Sequence, residues 1–527
     1  MAPRRSSFLV DPSEPEVAVF VSGVASMGLE ILAGRMIAPE FGSSIYTWGS
    51  IIGVFLAALS LGYHRGGRRA AERATNERLH RLLLLTAAYV AALVFAGDRL
   101  LAGTRVFPLP ARFASLPAVV LLFGPPTYLL GFVSPYAAEL SERESVGEAS
   151  GHVYAVGTVG SIVGAFGTTF LLVPAFDVPT IAFGFGLLLV GGAAWLVVPE
   201  LDRDRALATA GVTLLLLAAV GGGALGYSPG GNVIYQTQTP YQELEVTQLG
   251  DTRTLYLDGQ PHSAMDVDDP NRHVFEYTRY FHLPFLFAED PETIDRVLFV
   301  GGGGFTGPKR FVSDYNVTVD VVEIDPEVVR VAKEQFRVEE SEDLRIHEAD
   351  GRQFLRETNR TYDVIVLDAF KKDKVPFHMT TREFMALAES RLSDDGVLVA
   401  NLIAAPNGPA SRFYRAEYET MDRVFPQVYS FPTTGGATVQ NVEVVATKSD
   451  ERITEDELRA RNERRDVGID LRAEIAAYQA DPRTDDVPVL TDDHAPVDDL
   501  LDPALGQQYV VNRVPENATT TSPPTAG

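Results

Sequence analysis

The hydrophobic pattern changes rhythm near residue 230. Before that point apolar residues run in long blocks, at about 16–38, 44–63, 80–97, 116–138, 152–174, 179–198 and 206–226. Each block approaches the ~20 mostly apolar residues that a helix needs to cross a bilayer. Beyond residue 231 the apolar runs shorten to strand length and alternate with amphipathic, helix-length stretches.

The first pattern predicts a polytopic transmembrane domain over residues 1–230. Its leading block carries Glu30 and Arg35, and no clean small-residue cleavage site follows, so it does not read as a removable signal. Ionisable groups inside a span are expensive and often functional. Arg35 can instead snorkel toward the interface. Gly157, Gly160, Gly164 and Gly167 recur at three- and four-residue spacing, a small-residue face suited to close helix packing.

Arg4, Arg5 and the loop bearing Arg65, Arg68, Arg69, Arg73, Arg78 and Arg81 mark the inner side. Seven full spans would then leave residues 231–527 outside the cell. The block at 116–138 is broken by Pro125 and Pro126, consistent with a kinked or re-entrant segment. Six spans, with the second half cytoplasmic, are therefore expected on chemical grounds. The protein reads as a multi-pass protein of the cell membrane.

In the second half, alternation from Asn232 to Gly259 predicts a short antiparallel sheet, and Tyr277 to Phe287 reads as a helix. Together they outline a small β-rich, substrate-side domain over 231–285. Strands follow at 296–301, 317–324, 344–348, 362–368 and 396–402, with helices near 306–314, 326–336, 351–357, 380–392 and 410–424. Later strands near 427–432 and 441–447 would close the sheet. Such alternation predicts an α/β domain, a doubly wound and mainly parallel sheet over 286–505. Residues 506–527 are expected to be a disordered tail.

Charge divides the chain in the same place. The net charge is −25, yet the first 230 residues carry 16 acids and 15 bases, so nearly all of it lies in the second half. Lysine occurs only at 309, 333, 371, 372, 374 and 448. An acid-rich, lysine-poor surface suits a salt-loaded cytoplasm, which points to a halophilic archaeon. It argues against nucleic acid as partner and favours cations such as polyamines. The absence of cysteine excludes disulfides and thiol chemistry, and no Cys/His cluster has metal-ligand spacing.

The candidate chemistry sits at the strand ends, where open α/β sheets bind ligands. The first strand runs into Gly301, Gly302, Gly303 and Gly304, the second ends at Glu323 and Asp325, the third at Asp350-Gly351, and the fourth at Asp368. Glycines admit a ligand close to the backbone, and a second-strand acid can hold a ribose diol. Glu323 is the better diol ligand. Asp325, just before Pro326, reads first as a helix cap and second as a ligand. Asp350 could accept from an adenine amino group. No Lys-Ser/Thr follows the glycines, so this is not a Walker loop. The set looks instead like the adenosyl-sulfonium folds of the class I S-adenosylmethionine-dependent methyltransferase type.

The chain resembles the spermidine synthase (polyamine aminopropyltransferase) family, in particular its membrane-fused members. The resemblance runs from about Tyr235 to Leu500 and rests on TPYQELEV, LYLDGQ, the glycine loop, VVEID, EADG, VIVLDAF and PTTGGATVQNVEVVATK. VLDAFKKDKVPFHMTTREF, LTDDHAPVDDL and SGVASMGLEILAGRMIAPEFGSSIYTW look like the fused subgroup. It implies transfer of an aminopropyl group from decarboxylated S-adenosylmethionine to a polyamine such as putrescine. Asp368 would be the general base. Gln242 and Glu323 would contact the ribose and chain, Asp350 and Gly351 adenine, and Pro376 its face. Tyr241, Glu276 and Asp373 would line the amine side, no metal takes part, and a homodimer fits the resemblance. Two positions depart from the family pattern: Gly304 and Lys371 stand where it carries acids.

Two other functions compete. One is a methyltransferase that uses intact S-adenosylmethionine, its acceptor welcomed by the cationic stretch Lys371, Lys372 and Lys374. The other is a polyamine transporter or sensor without chemistry, suggested by Glu30, Arg35 and the glycine-rich fifth block.

Overall fold

The computed structural model describes residues 13–42, 44–104, 109–141, 145–197, 202–223, 231–372, 374–465, 467–504 and 507–515. The chain forms two compact units, Met1–Tyr227 and Ser228–Gly527.

In the first unit, six helices among the described residues are long and apolar enough to cross a membrane. They are Glu14–Phe41, Ile45–Arg73, Asn76–Gly97, Arg112–Glu139, Val146–Leu172 and Val178–Trp195. The first opens with a capping box, in which the Ser13 backbone N–H donates to Glu16 Oε2 at 3.0 Å. A further helix, Arg203–Gly223, follows. The segment set aside on sequence is thus among the six. Its helix runs through Pro125 and Pro126 and is interrupted instead at Gly131 and Phe132. The glycine face packs as expected for three of its four members. A Cβ on Gly160 would lie 2.4 Å from Phe20 O, one on Gly164 2.4 Å from Val24 O, and one on Gly157 3.2 Å from Val19 Cγ1. Gly167 faces open space.

The second unit begins with a four-stranded antiparallel sheet, β1 (Asn232–Gln238), β2 (Glu243–Leu249), β3 (Thr252–Leu257) and β4 (Gln260–Asp266). The segment read as one helix from Tyr277 is a 3-10 turn, Glu276–His282, followed by one α-turn, Pro284–Phe287. Pro284 has no N–H to continue the ladder and stands at the first position of the α-turn, where that donor is not needed.

A seven-stranded sheet follows. Its strands are β5 (Arg296–Val300), β6 (Thr318–Glu323), β7 (Leu344–Glu348), β8 (Tyr362–Leu367), β9 (Leu392–Ala404), β10 (Gln427–Pro432) and β11 (Gln440–Thr447). They are ordered β10-β11-β9-β8-β5-β6-β7. The pairs from β7 through β9 are parallel, whereas β11 pairs antiparallel with both β9 and β10. This is the doubly wound, mainly parallel architecture of the expectation. Period-two alternation makes both faces apolar: Val297, Phe299, Val364 and Val366 enter one core, Leu298, Val300, Ile365 and Leu367 the other. Chain order leaves β5 in opposite directions, to β6 on one side and β8 on the other. That reversal opens the crevice in which such sheets bind ligands.

Residues 507–515, counted with the tail on sequence, are docked. Val510 N–H donates to Val439 O at 2.9 Å, Glu276 N–H to Asn512 O at 3.0 Å, and Val514 N–H to Val274 O at 2.9 Å. Residues 516–527 lie outside the described residues.

Candidate active site

The glycine loop leaves β5 in conformations that a side chain would obstruct. Gly301 has φ +99° and Gly303 φ +49°, both in the left-handed region. A Cβ on Gly301 would lie 2.3 Å from Asp368 O, because the β5 and β8 ends are in contact. Gly302 N–H donates to Glu323 Oε2 at 2.9 Å, and Asp325 N–H donates to Glu323 Oε1 at 3.0 Å. Burial pushes the Glu323 carboxyl up, against the pull of these bonds. The Gly303 backbone adds a third bond to this carboxylate, and of its roughly four lone-pair positions about one remains for a ribose hydroxyl.

Gly304 N–H donates to Ser263 Oγ at 2.9 Å, and a Cβ on Gly304 would sit 2.8 Å from Ser263 Cβ. The close approach of β4 therefore leaves no room for the acid that the resemblance would put there.

Asp325 is fully buried. Its Oδ1 accepts from Glu327 N–H at 3.1 Å and caps helix Pro326–Gln335. Its Oδ2 accepts from Thr239 Oγ1 at 2.7 Å and Gln242 Nε2 at 3.1 Å. The capping reading describes it, and its remaining bonds hold Gln242 in place. Asp350 caps helix Gly351–Glu357 through Gln353 N–H at 2.9 Å, and His378 Nε2 lies 2.9 Å from its other oxygen. Gly351 is required by packing, since its Cβ would meet Val300 Cγ1 at 2.4 Å. Pro376 precedes the short turn Phe377–Met379, which carries His378.

The lysine stretch is bonded rather than open to an anionic guest. Lys371 donates to Gln242 Oε1 and, at 2.9 Å, to Asp258 Oδ2. Lys374 donates to Tyr241 O at 2.9 Å, and Lys372 to Gln507 O. The Tyr241 side chain is exposed. Asp373 lies outside the described residues.

Asp368 closes β8. Its Oδ1 accepts from Asn401 Nδ2 at 2.8 Å. Asn401 Oδ1 in turn accepts from Asn441 Nδ2 at 2.8 Å, and Asn441 Oδ1 from Tyr509 OH at 2.8 Å. Removal from water pushes the Asp368 carboxyl up to about 7, the Asn401 bond opposing and the Glu323 charge adding to the rise. A carboxyl of that acidity can hold or release a proton near neutrality. Glu276 opens the 3-10 turn that also carries Tyr277, whose OH donates to His262 O at 2.9 Å. Among the described residues, no group of three or more His, Asp or Glu is placed to hold a metal.

The family model for the spermine/spermidine synthase domain matches residues 275–432. Polyamine aminopropyltransferase of Vibrio vulnificus is 33% identical over 208 residues, covering 38% of this chain and 67% of the relative. Its counterpart in Chromobacterium violaceum is 31% identical over 218 residues, 40% of this chain and 79% of the relative. The chain belongs to the spermine/spermidine synthase family. It is therefore a transferase. Polyamine aminopropyltransferase 2 of Aquifex aeolicus is 21% identical over 415 residues, covering 73% of this chain and 78% of that family member. That match is longer than the second unit, so it includes part of the helical one. Spermidine synthase of Thermotoga maritima, a solved structure, superposes with a TM-score of 0.38 at 19% identity, over 47% of this chain and 84% of that one.

Asn401, Asn441 and Tyr509 were not singled out on sequence. A signal was present for Asn401, an amide in the apolar run Val397–Ala404; Asn441 stands beside Gln440 and Glu443 in a strand of mixed polarity and carried less. Tyr509 carried none, because only the fold returns the chain end to β11.

Proposed function

We propose that the second unit transfers an aminopropyl group from decarboxylated S-adenosylmethionine to a polyamine such as putrescine, with Asp368 as general base. The observation that carries this reading is Asp368: a carboxyl pushed up to about 7 and oriented by Asn401, on a residue whose backbone lies against Gly301 of the glycine loop. Gly301, Gly302 and Gly303 let the nucleoside approach the backbone. Glu323 and Gln242 take the ribose and the chain, and Asp350, Gly351 and Pro376 border the adenine. Asp325 acts through Gln242.

Asp368 accepts a proton from the acceptor amine. The freed nitrogen lone pair forms a bond to the carbon beside the sulfonium, the carbon–sulfur bond breaks, and its electron pair neutralises sulfur as methylthioadenosine departs. Tyr241 and Glu276 border the amine's path. The first unit embeds the enzyme in the cell membrane, with the second unit in the cytoplasm beside its soluble substrates.

The test is methylthioadenosine release from the full-length protein in vesicles with putrescine and decarboxylated S-adenosylmethionine. Turnover by wild type and its loss in Asp368→Asn, with nucleoside binding retained, are expected. Consumption of intact S-adenosylmethionine alone would replace the reading by methyl transfer. Protease digestion of sealed vesicles reports the side of residues 231–527, and an external second unit would overturn the cytoplasmic placement.

A further inference from the structure

Glu443 lies on β11 directly opposite Asn401 of β9, so the two side chains share a face of the sheet. Asn441, two residues earlier on β11, shares that face. Glu443 is fully buried, and neither carboxylate oxygen has a hydrogen-bond partner among the described residues. The neighbouring amides are already engaged: Asn401 bonds Asp368 and Asn441, and Asn441 also takes the Tyr509 hydroxyl. Its electrostatic neighbours are Asp368, Tyr277, Tyr280 and Tyr509. None of these supplies a positive charge.

A buried polar group without a partner costs about 1–3 kcal/mol, and a charged one more. Here the cost falls two strands from the one that leads into the proposed base, with only β9 between. Directly opposed residues in an antiparallel pair have Cβ atoms about 5 Å apart, so Glu443 and Asp368 face one another across a single asparagine. Two carboxylates in such a place repel when both are ionised, and a cation between them relieves both the repulsion and the missing bonds. Glu417, on helix Arg412–Asp422, is also fully buried with both oxygens unpartnered among the described residues, but burial is its one perturbing influence. Glu443 differs in being coupled to the reacting carboxyl.

We propose that Glu443 binds the second, non-attacking ammonium of the acceptor and so selects diamines over monoamines. The inference rests on the aminopropyl-transfer reading and deepens it by naming a specificity determinant on β11. Asp368 handles the nitrogen that attacks, whereas Glu443 fixes the far end of the same molecule.

The experiment compares putrescine with butylamine, which lacks the second amine, in full-length wild type, Glu443→Gln, Glu443→Asp and Glu417→Gln. In Glu443→Gln the KM for putrescine should rise about tenfold or more, the loss expected for a charged hydrogen bond, with kcat little changed. Its preference for putrescine over butylamine should collapse toward unity. Glu417→Gln should keep the wild-type preference, which separates a binding role from the general effect of altering a buried acid. Should the amide fail to fold, Glu443→Asp keeps the charge, shortens its reach, and should still weaken the preference. An unchanged preference in a folded Glu443 variant would overturn the inference. If wild type transfers no aminopropyl group, the functional reading fails by itself. Calorimetric binding of putrescine to wild type and Glu443→Gln then decides the Glu443 site, equal affinities overturning it.

Discussion

Asn401 Nδ2 donates to Asp368 Oδ1 at 2.8 Å across the parallel pair β8 and β9. The bond orients the carboxyl and opposes the rise in its pKa, yet the surroundings still push it to about 7 from an ordinary 3.8. A base must be unprotonated, so kcat/KM for putrescine should climb as pH rises through about 7. Asn401→Ala removes the opposing bond and should move that limb to higher pH, measured from the pH–rate profile. A limb that stays in place would detach Asp368 from the profile.

The same shift has a consequence for stability. Because the folded pKa lies above the unfolded one, the stabilising contribution is whole below about 3.8 and is lost as pH rises through about 7. Asp368→Asn has no proton to lose. Its melting temperature relative to wild type should therefore be higher at pH 8.5 than at pH 4, by calorimetry at both values.

Lys371 joins Gln242 to Asp258, with the lysine and aspartate side chains 15% and 21% exposed. Lys371→Met strands a half-buried carboxylate and a buried amide oxygen, and should cost about 1–3 kcal/mol in urea denaturation. Methylthioadenosine should bind more weakly, because Gln242 loses one of its two anchors. Adding Asp258→Asn should return part of the stability, and a double-mutant cycle measures the coupling.

Gly304→Asp introduces a Cβ that would lie 2.8 Å from Ser263 Cβ. Overpacking of this kind costs about 1–3 kcal/mol. The variant should be destabilised, and Ser263→Gly in the same chain should recover much of the loss. Independent, additive effects in denaturation would show that the two positions do not constrain each other.

Arg352 is 9% exposed and donates to both oxygens of Asp492, at 2.7 and 2.6 Å, and to His378 O at 2.8 Å. Asp492→Asn should loosen the turn that brings His378 to Asp350. Adenosine-containing ligands should then bind more weakly, with the affinity of the amine unchanged, as titration with each ligand separately would measure.

Residue order alone was enough for the long apolar helices of the first unit, the parallel sheet and the acids at its strand ends, because periodicity records which faces are buried. It also set Asp325 down as a helix cap, since Asp before Pro acts locally. The junction at Gly131–Phe132, the bonded state of Lys371 and the exclusion of a side chain at Gly304 depend on neighbours distant in the chain. Asn401, Asn441, Glu443 and Tyr509 meet only because β11 runs antiparallel beside β9 and the chain end returns to cover it. Local pattern determines what each segment can become. Register and packing decide which carboxyl is left dry, and therefore which one can carry a proton near neutrality.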